Sequence, residues 1–243
     1  MPLTLPIRDV VPATPRSRIV RLDLEGQPFS YEPGQALLIA DHGFARRKPY
    51  SIAAAPKDAA RDGALELLIG VDADGSAGPH LTLTPGQRVE VDGPIGRFTF
   101  PAEPAADSFV FIAGGTGIAP LRAMLHHALE TTHRRIGLFY SARTPGDFAY
   151  EDEWRRLAAN GRIEFRQTVT RDETSSSEWS GERGRIGRDA LASLVHDPAT
   201  LCFVCGPPAL VNDVPRLLDE LGVPRGQIRL EEWSNPREVR TES

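Results

Sequence analysis

The chain has 243 residues, 40% hydrophobic and 25% charged, with a net charge of −5. That length suffices for two modest domains with buried cores, in a composition ordinary for a globular protein. The acidic balance argues against a nucleic-acid or anionic-membrane surface, and no apolar stretch approaches the roughly 18 residues of a spanning helix.

The N-terminus, Met1 to Pro6, has no basic region followed by an apolar core, so a cytoplasmic protein is expected. The first hundred residues then read as all-β. Short runs rich in Val, Ile and Leu are expected to form strands at Leu5–Pro12, Arg18–Leu24, Ala36–Ala40, Tyr50–Ala54, Leu65–Val71, Arg88–Asp92 and Phe98–Phe100. Gly/Pro turns such as Pro33-Gly34 and Thr84-Pro85-Gly86 separate them. Many short strands at close spacing predict a small antiparallel Greek-key β-barrel, with Ser76–Leu83 as its one candidate helix.

The composition shifts at Pro101–Asp107, read as a linker, and the domain boundary is placed between residues 103 and 104. Strand and helix alternate beyond it. The predicted strands are Phe109–Ala113, Ile136–Tyr140, Ile163–Val169, Leu201–Cys205 and Ile228–Glu232. The predicted helices are Ile118–Glu130, Tyr150–Ala159, Ala190–Val195 and Ala209–Leu221. Five strands with intervening helices predict a doubly wound parallel sheet. Tyr150, Trp154 and Leu157 share one helical face, Asn160-Gly161 ends that helix, and Pro215 is expected to kink the last one or break its first turn. Asp172–Arg185 reads as a surface loop.

The chemistry concentrates in a few stretches. Phe109–Ala113 runs straight into Gly114, Gly115, Thr116 and Gly117, and then into a helical pattern. Strand, glycine turn and helix present free N–H groups and a helix dipole to an anion, and glycine leaves no side chain between backbone and ligand. This is neither the GxGxxG fingerprint nor a Walker motif, since no lysine follows. Cys202 and Cys205 form a CxxC, but on a strand the two side chains take opposite faces about 10 Å apart, beyond disulfide reach. Two cysteines are also too few for a four-cysteine metal site, so no metal is expected.

Four stretches, in order, resemble the ferredoxin–NADP reductase-like flavoprotein oxidoreductases. The first is Lys48-Pro49-Tyr50-Ser51, similar to the family's Arg-x-Tyr-Ser flavin signature. The resemblance implies a cation on a flavin phosphate, an aromatic ring against the isoalloxazine, and the Ser51 hydroxyl near flavin N5. Lys48 stands where Arg is usual; Lys grips phosphate as a point charge without a bidentate fork, and Arg46 or Arg47 are alternatives. The second is Gly75-Ser76-Ala77-Gly78, where the family opens a short helix at the flavin pyrophosphate, followed by Gly93-Pro94-Ile95-Gly96-Arg97-Phe98. Gly78 replaces the usual Ser or Thr, with Ser76 close by, and His80 reads as a packing or surface residue. Ile69, Val71, Gly75, Ser76 and Ala77 are carried over as flavin-binding candidates.

The third stretch is Gly114–Gly117, implied to bind the NAD(P) pyrophosphate. The fourth is Cys205-Gly206-Pro207-Pro208 with Glu231 and Trp233. It implies Cys205 beside the reacting nicotinamide, Glu231 at the flavin edge and Trp233 on the flavin's other face, with Glu232 competing with Glu231 on register. Ser141 and Arg143, closing the second α/β strand, are implied to meet the adenosine ribose. Arg143, joined by Arg171, Arg183 and Arg185, would suit the 2′-phosphate of NADPH.

The expected protein is therefore a flavin-dependent NAD(P)H oxidoreductase, with residues 1–103 binding flavin and residues 104–243 binding NAD(P). Ser51, Cys205 and Glu231 are its catalytic candidates. FAD is favoured over FMN, and NADPH over NADH. The expected acceptor is a separate carrier such as ferredoxin or flavodoxin, steered by Arg46, Arg47 and Lys48. The alternatives are the reductase component of an oxygenase, a free-flavin reductase, and a non-catalytic flavin-binding electron-transfer subunit.

Overall fold

The structure, a computed structural model, describes residues 3–132, 134–171 and 179–232. The chain divides into two compact units. One is the chain up to Ala102 together with Ala119–Thr131; the other is Glu103–Ile118 together with the chain from Thr132 on.

The first unit is a six-stranded antiparallel sheet of β1 (Leu3–Thr14), β2 (Ser17–Asp23), β3 (Ala36–Asp41), β4 (Lys48–Ser51), β5 (Ala64–Gly70) and β6 (Arg88–Ile95). The spatial order is β4-β3-β6-β1-β2-β5. A bridge between Ile52 and Leu67, with Ala53 N–H donating to Glu66 O at 2.8 Å, joins the two edges and closes the barrel. Closure removes the unpaired edges that an open sheet would expose. Leu5, Leu22, Leu37, Ile39, Ile52, Leu67 and Val89 fill the interior, each at most 1% exposed.

Helix α2 (Ile118–Thr131) belongs with this barrel from Ala119 onward. Its Arg122, a polar residue in a mostly apolar helix, donates to Ala53 O at 2.9 Å and to Glu66 Oε1 at 3.0 Å. Glu66 is only 8% exposed, and its other oxygen accepts from Arg21 at 2.8 Å. A buried carboxylate is tolerated because two guanidiniums neutralise it. Arg122→Met leaves the Ala53 carbonyl and one Glu66 oxygen without this donor. The expected loss is about 2 kcal/mol, a drop in melting temperature of about 4–8 °C by calorimetry. An unchanged melting temperature would show that the Arg21 pair alone suffices.

The second unit is a parallel sheet of β7 (Ser108–Gly114), β8 (Arg135–Ala142), β9 (Glu164–Val169), β10 (Glu182–Arg183), β11 (Leu201–Gly206) and β12 (Ile228–Glu232). Its order is β10-β9-β8-β7-β11-β12. Every residue of β7 and β11 is buried, which is why both read as continuous apolar runs rather than alternating ones. Helices α3 (Glu151–Ala159), α4 (Arg188–Ala192) and α5 (Pro208–Glu220) complete the unit. Helix α3 ends at Asn160-Gly161 as expected: Gly161 N–H bonds Ala158 O, and Arg162 N–H bonds Leu157 O. That is a Schellman closure around a left-handed glycine.

Several expectations need correction. The parallel sheet has six strands, because two-residue β10 forms inside the stretch read as a loop. Phe98–Phe100 is not a strand; both rings are buried, but the backbone makes no ladder. Ser76–Leu83 is not helical, since Gly78 takes φ +97 and Pro79 follows it. The barrel's helix is instead α1 (Pro56–Asp62), with Pro56 in its first turn and Gly63 at φ +62 as its cap. Helix α5 is continuous through Pro215, so no break occurs there, and the Val211 carbonyl loses its in-helix donor. No helix among the described residues is long and apolar enough to cross a membrane.

Candidate functional site

In the parallel unit the strand order reverses between β7 and β11: β8, β9 and β10 extend to one side of β7, and β11 and β12 to the other. The crevice at the carboxyl ends of strands flanking such a reversal is where open α/β sheets bind ligands. Predicted nucleotide-site residues of this unit lie at those strand ends. Cys205 lies in register with Ala113 on one side and Glu231 on the other. Gly114 lies in register with Ser141.

The glycines are explained by close approach. A Cβ on Gly114 would lie 2.7 Å from Pro207 Cδ, and one on Gly117 would lie 2.4 Å from Cys205 O. Gly206 allows β11 to pass Gly114, where an added Cβ would meet Gly114 Cα at 3.1 Å. Gly115 differs: its φ is +55 and it faces open space. The turn Gly115–Gly117 feeds directly into α2, so the helix N-terminus faces the crevice edge. Tyr140 fixes the turn by donating from its hydroxyl to Gly115 O at 2.9 Å. The Thr116 hydroxyl is buried without a hydrogen-bond partner among the described residues. An open glycine turn, a helix N-terminus and an orphaned hydroxyl fit the pyrophosphate of a dinucleotide.

Beside the turn, Cys205 Sγ lies 3.8 Å from Glu231 Oε2. Burial, reinforced by the Glu231 carboxyl, pushes the Cys205 thiol well up, and burial raises the Glu231 carboxyl as well. The thiol is therefore a neutral group at physiological pH rather than a nucleophile. Glu232 sits one register step on, opposite Gly206, and is exposed. Register thus brings Glu231, not Glu232, to the cysteine. Cys202 points into the core with Val110, Ile112 and Val214, and both cysteines are free.

Arg143 follows β8, and its carbonyl accepts from Arg171 N–H at 2.8 Å, so two of the four arginines converge on one strand end. Arg183 donates to Trp179 O, and Arg185 pairs with Asp213 at 3.2 Å.

In the barrel unit, Lys48, Tyr50 and Ser51 are half-buried on edge strand β4, and Pro49 is exposed. Tyr50 Oη lies 2.8 Å from His80 Nε2, and the two ring planes are nearly parallel at 6°. Burial pushes the Tyr50 phenol up to about 12. His80 is 2% exposed, so it is a buried residue and not a surface one. Composition held no signal for this pair, which lies 30 residues apart in sequence. Arg47 forms an ion pair with Glu90, which takes it out of the phosphate role, while Arg46 is exposed.

Ile69 is fully buried in the barrel core, so only its backbone can face a ligand; Val71 is half-buried, and its N–H bonds Arg16 O. The Gly75–Ala77 turn is closed on itself: Gly75 N–H bonds Asp72 O, and Ser76 N–H bonds Asp74 Oδ1. Trp233 lies outside the described residues. A cation, an aromatic phenol and a hydroxyl within the four residues of one strand fit a phosphorylated aromatic cofactor.

Comparison with known proteins decides the family. The oxidoreductase FAD-binding domain matches residues 5–100, and the oxidoreductase NAD-binding domain matches residues 111–216. Ferredoxin–NADP reductase B of Sorangium cellulosum (strain So ce56) is 34% identical over 223 residues, covering 86% of this chain and 88% of that protein. The chain belongs to the ferredoxin–NADP reductase-like flavoprotein oxidoreductases. It is an FAD-dependent NAD(P)H reductase.

One component of the Na(+)-translocating NADH-quinone reductase of Klebsiella pneumoniae is 33% identical over 159 residues; the match spans 63% of this reductase but 38% of that protein. Among solved structures, the ferredoxin reductase in carbazole 1,9a-dioxygenase superposes with a TM-score of 0.81 at 26% identity, covering 96% of this reductase and 70% of that chain.

Proposed function

We propose that this reductase takes hydride from NADPH and passes the electrons to a separate small carrier such as ferredoxin or flavodoxin. The observation that carries the reading is its correspondence with a ferredoxin–NADP reductase over 88% of that protein's length. Residues 1–103 are assigned to FAD and residues 104–243 to the nicotinamide nucleotide.

Bound FAD would supply the two-electron to one-electron conversion. The rest falls to the chain. Lys48, Tyr50 and Ser51 hold the flavin against the 75–77 turn, and Gly114–Gly117, Gly206 and Pro207 receive the pyrophosphate. Cys205 orients the nicotinamide, and Glu231 holds the thiol in place from the neighbouring strand. Most of the rate enhancement is then alignment of two bound rings, for which effective molarities are large. Arg143 and Arg171 take the 2′-phosphate of NADPH, and exposed Arg46 steers an acidic carrier.

Anaerobic rapid mixing with NADPH and with NADH, followed by acceptor assays with ferredoxin, flavodoxin and an oxygenase component, tests the reading. Faster flavin bleaching with NADPH and turnover with ferredoxin or flavodoxin are expected. Arg143→Ala is expected to raise KM for NADPH about tenfold and leave KM for NADH unchanged. Equal effects on both nucleotides would remove Arg143 from the 2′-phosphate. The likeness to a dioxygenase's ferredoxin reductase favours a second reading, an oxygenase reductase component. Preference for NADH, with turnover only on an oxygenase component, would establish it.

A further inference from the structure

The turn assigned to the flavin phosphates lacks the donors that its sequence suggests. No helix begins there. The N–H groups of Gly75 and Ser76 are engaged inside the turn. Position 78 carries no hydroxyl, because it is glycine.

What borders the space over Gly78 is different. A Cβ built on Gly78 would lie 3.7 Å from His80 Nδ1 and 3.9 Å from Lys48 Nζ. His80 is 2% exposed, and its Nδ1 is buried without a hydrogen-bond partner among the described residues. The tautomer follows from the other ring nitrogen. Burial keeps the Tyr50 phenol protonated; a phenol is the stronger donor of the pair and an imidazole nitrogen the stronger acceptor, so the hydroxyl is assigned as donor to Nε2. Burial and nearby Lys48 hold the imidazole below its ordinary value, hence neutral. A neutral ring accepting at Nε2 carries its proton on Nδ1. A buried N–H donor without an acceptor therefore stands beside an ammonium. Leaving such a donor unmet is costly, and the two together select an anion.

We infer that His80, with Lys48, forms the subsite for a phosphate of the bound flavin, so that this chain reads phosphorylated flavins through an imidazole held in place by Tyr50. The inference rests on the flavin assignment of the barrel and adds a specificity-determining residue to it.

The test strips flavin from the full-length protein and titrates FAD, FMN and riboflavin by fluorescence quenching. In His80→Gln the amide reaches the Nε2 position, keeping the Tyr50 contact and losing the Nδ1 donor. In His80→Asn the amide stands near Nδ1, keeping that donor. His80→Gln is expected to weaken FAD and FMN about tenfold or more while riboflavin stays within about twofold. His80→Asn should retain most of the preference for phosphorylated flavins, and Lys48→Met should lose it as His80→Gln does.

An equal loss for all three flavins in His80→Gln would reduce the imidazole to packing, and no loss would place the phosphate elsewhere. If His80→Gln fails to fold, Lys48→Met and His80→Asn decide the same question: a preference unchanged in the first, or abolished in the second, overturns the subsite. Wild-type protein that binds none of the three would sink the barrel's flavin assignment, a result separable from any change in preference.

Discussion

Alanine at Gly117 is expected to lower the melting temperature by on the order of 10 °C and to abolish tight nucleotide binding. The added Cβ would lie 2.4 Å from Cys205 O, 2.7 Å from Cys205 C and 2.9 Å from Gly206 N. All three are backbone atoms of β11, a strand paired on both sides to β7 and β12, so no rotamer change relieves the clash. Either the strand or the turn must shift. Overpacking against backbone at such distances costs about 4 kcal/mol, toward the upper end for single substitutions. Calorimetry and NADPH titration read the two effects. A stable Gly117→Ala protein with normal affinity would mean that the close approach of turn and strand is dispensable. Gly115→Ala is the internal contrast, because nothing lies within 4 Å of its Cβ and only the positive φ is strained.

The second large effect concerns the rate. Cys205→Ala is expected to slow flavin reduction by NADPH about a hundredfold and to leave FAD affinity unchanged. The buried thiol faces Glu231 at 3.8 Å, on the strand end beside the glycine turn. Its removal leaves a gap where the nicotinamide is to be positioned and frees the Glu231 carboxyl from its neighbour. Because the thiol stays protonated, size and placement matter rather than nucleophilicity. Cys205→Ser, close in size, should restore part of the rate. Rapid-mixing absorbance gives the rate, and fluorescence titration gives the affinity. If alanine bleaches the flavin as fast as cysteine does, Cys205 has no part in the transfer.

What sequence reading captured has a physical pattern. Strands β7 and β11 were visible because burial on both faces makes a run of apolar residues that needs no period. The glycine turn was visible because backbone proximity excludes every other residue type. Helix α1 was missed: at seven residues with only Ala59 buried it has no apolar face to read. Phe98 and Phe100 mimic a strand because they fill the core from a segment that makes no ladder. Arg122 and His80 act over separations of 56 and 30 residues, and neither residue type announces its partner. The choice of Glu231 over Glu232 required the parallel register with β11, which no local pattern encodes.

The placement of helix α2 bears on how such reductases exchange parts. The NAD-binding domain match runs from residue 111 to residue 216 without a break, yet Ala119–Thr131 inside it belongs with the barrel. A graft that takes residues 111–216 from another reductase therefore replaces one of the two guanidiniums that neutralise Glu66. Chimeras joined at the apparent linker inherit a foreign salt bridge in the middle of the flavin module. Recombination that respects the fold has to splice on both sides of the helix. Swapping nucleotide preference between relatives is thus a two-cut problem, and donors carrying a basic residue at the Arg122 position are the compatible ones.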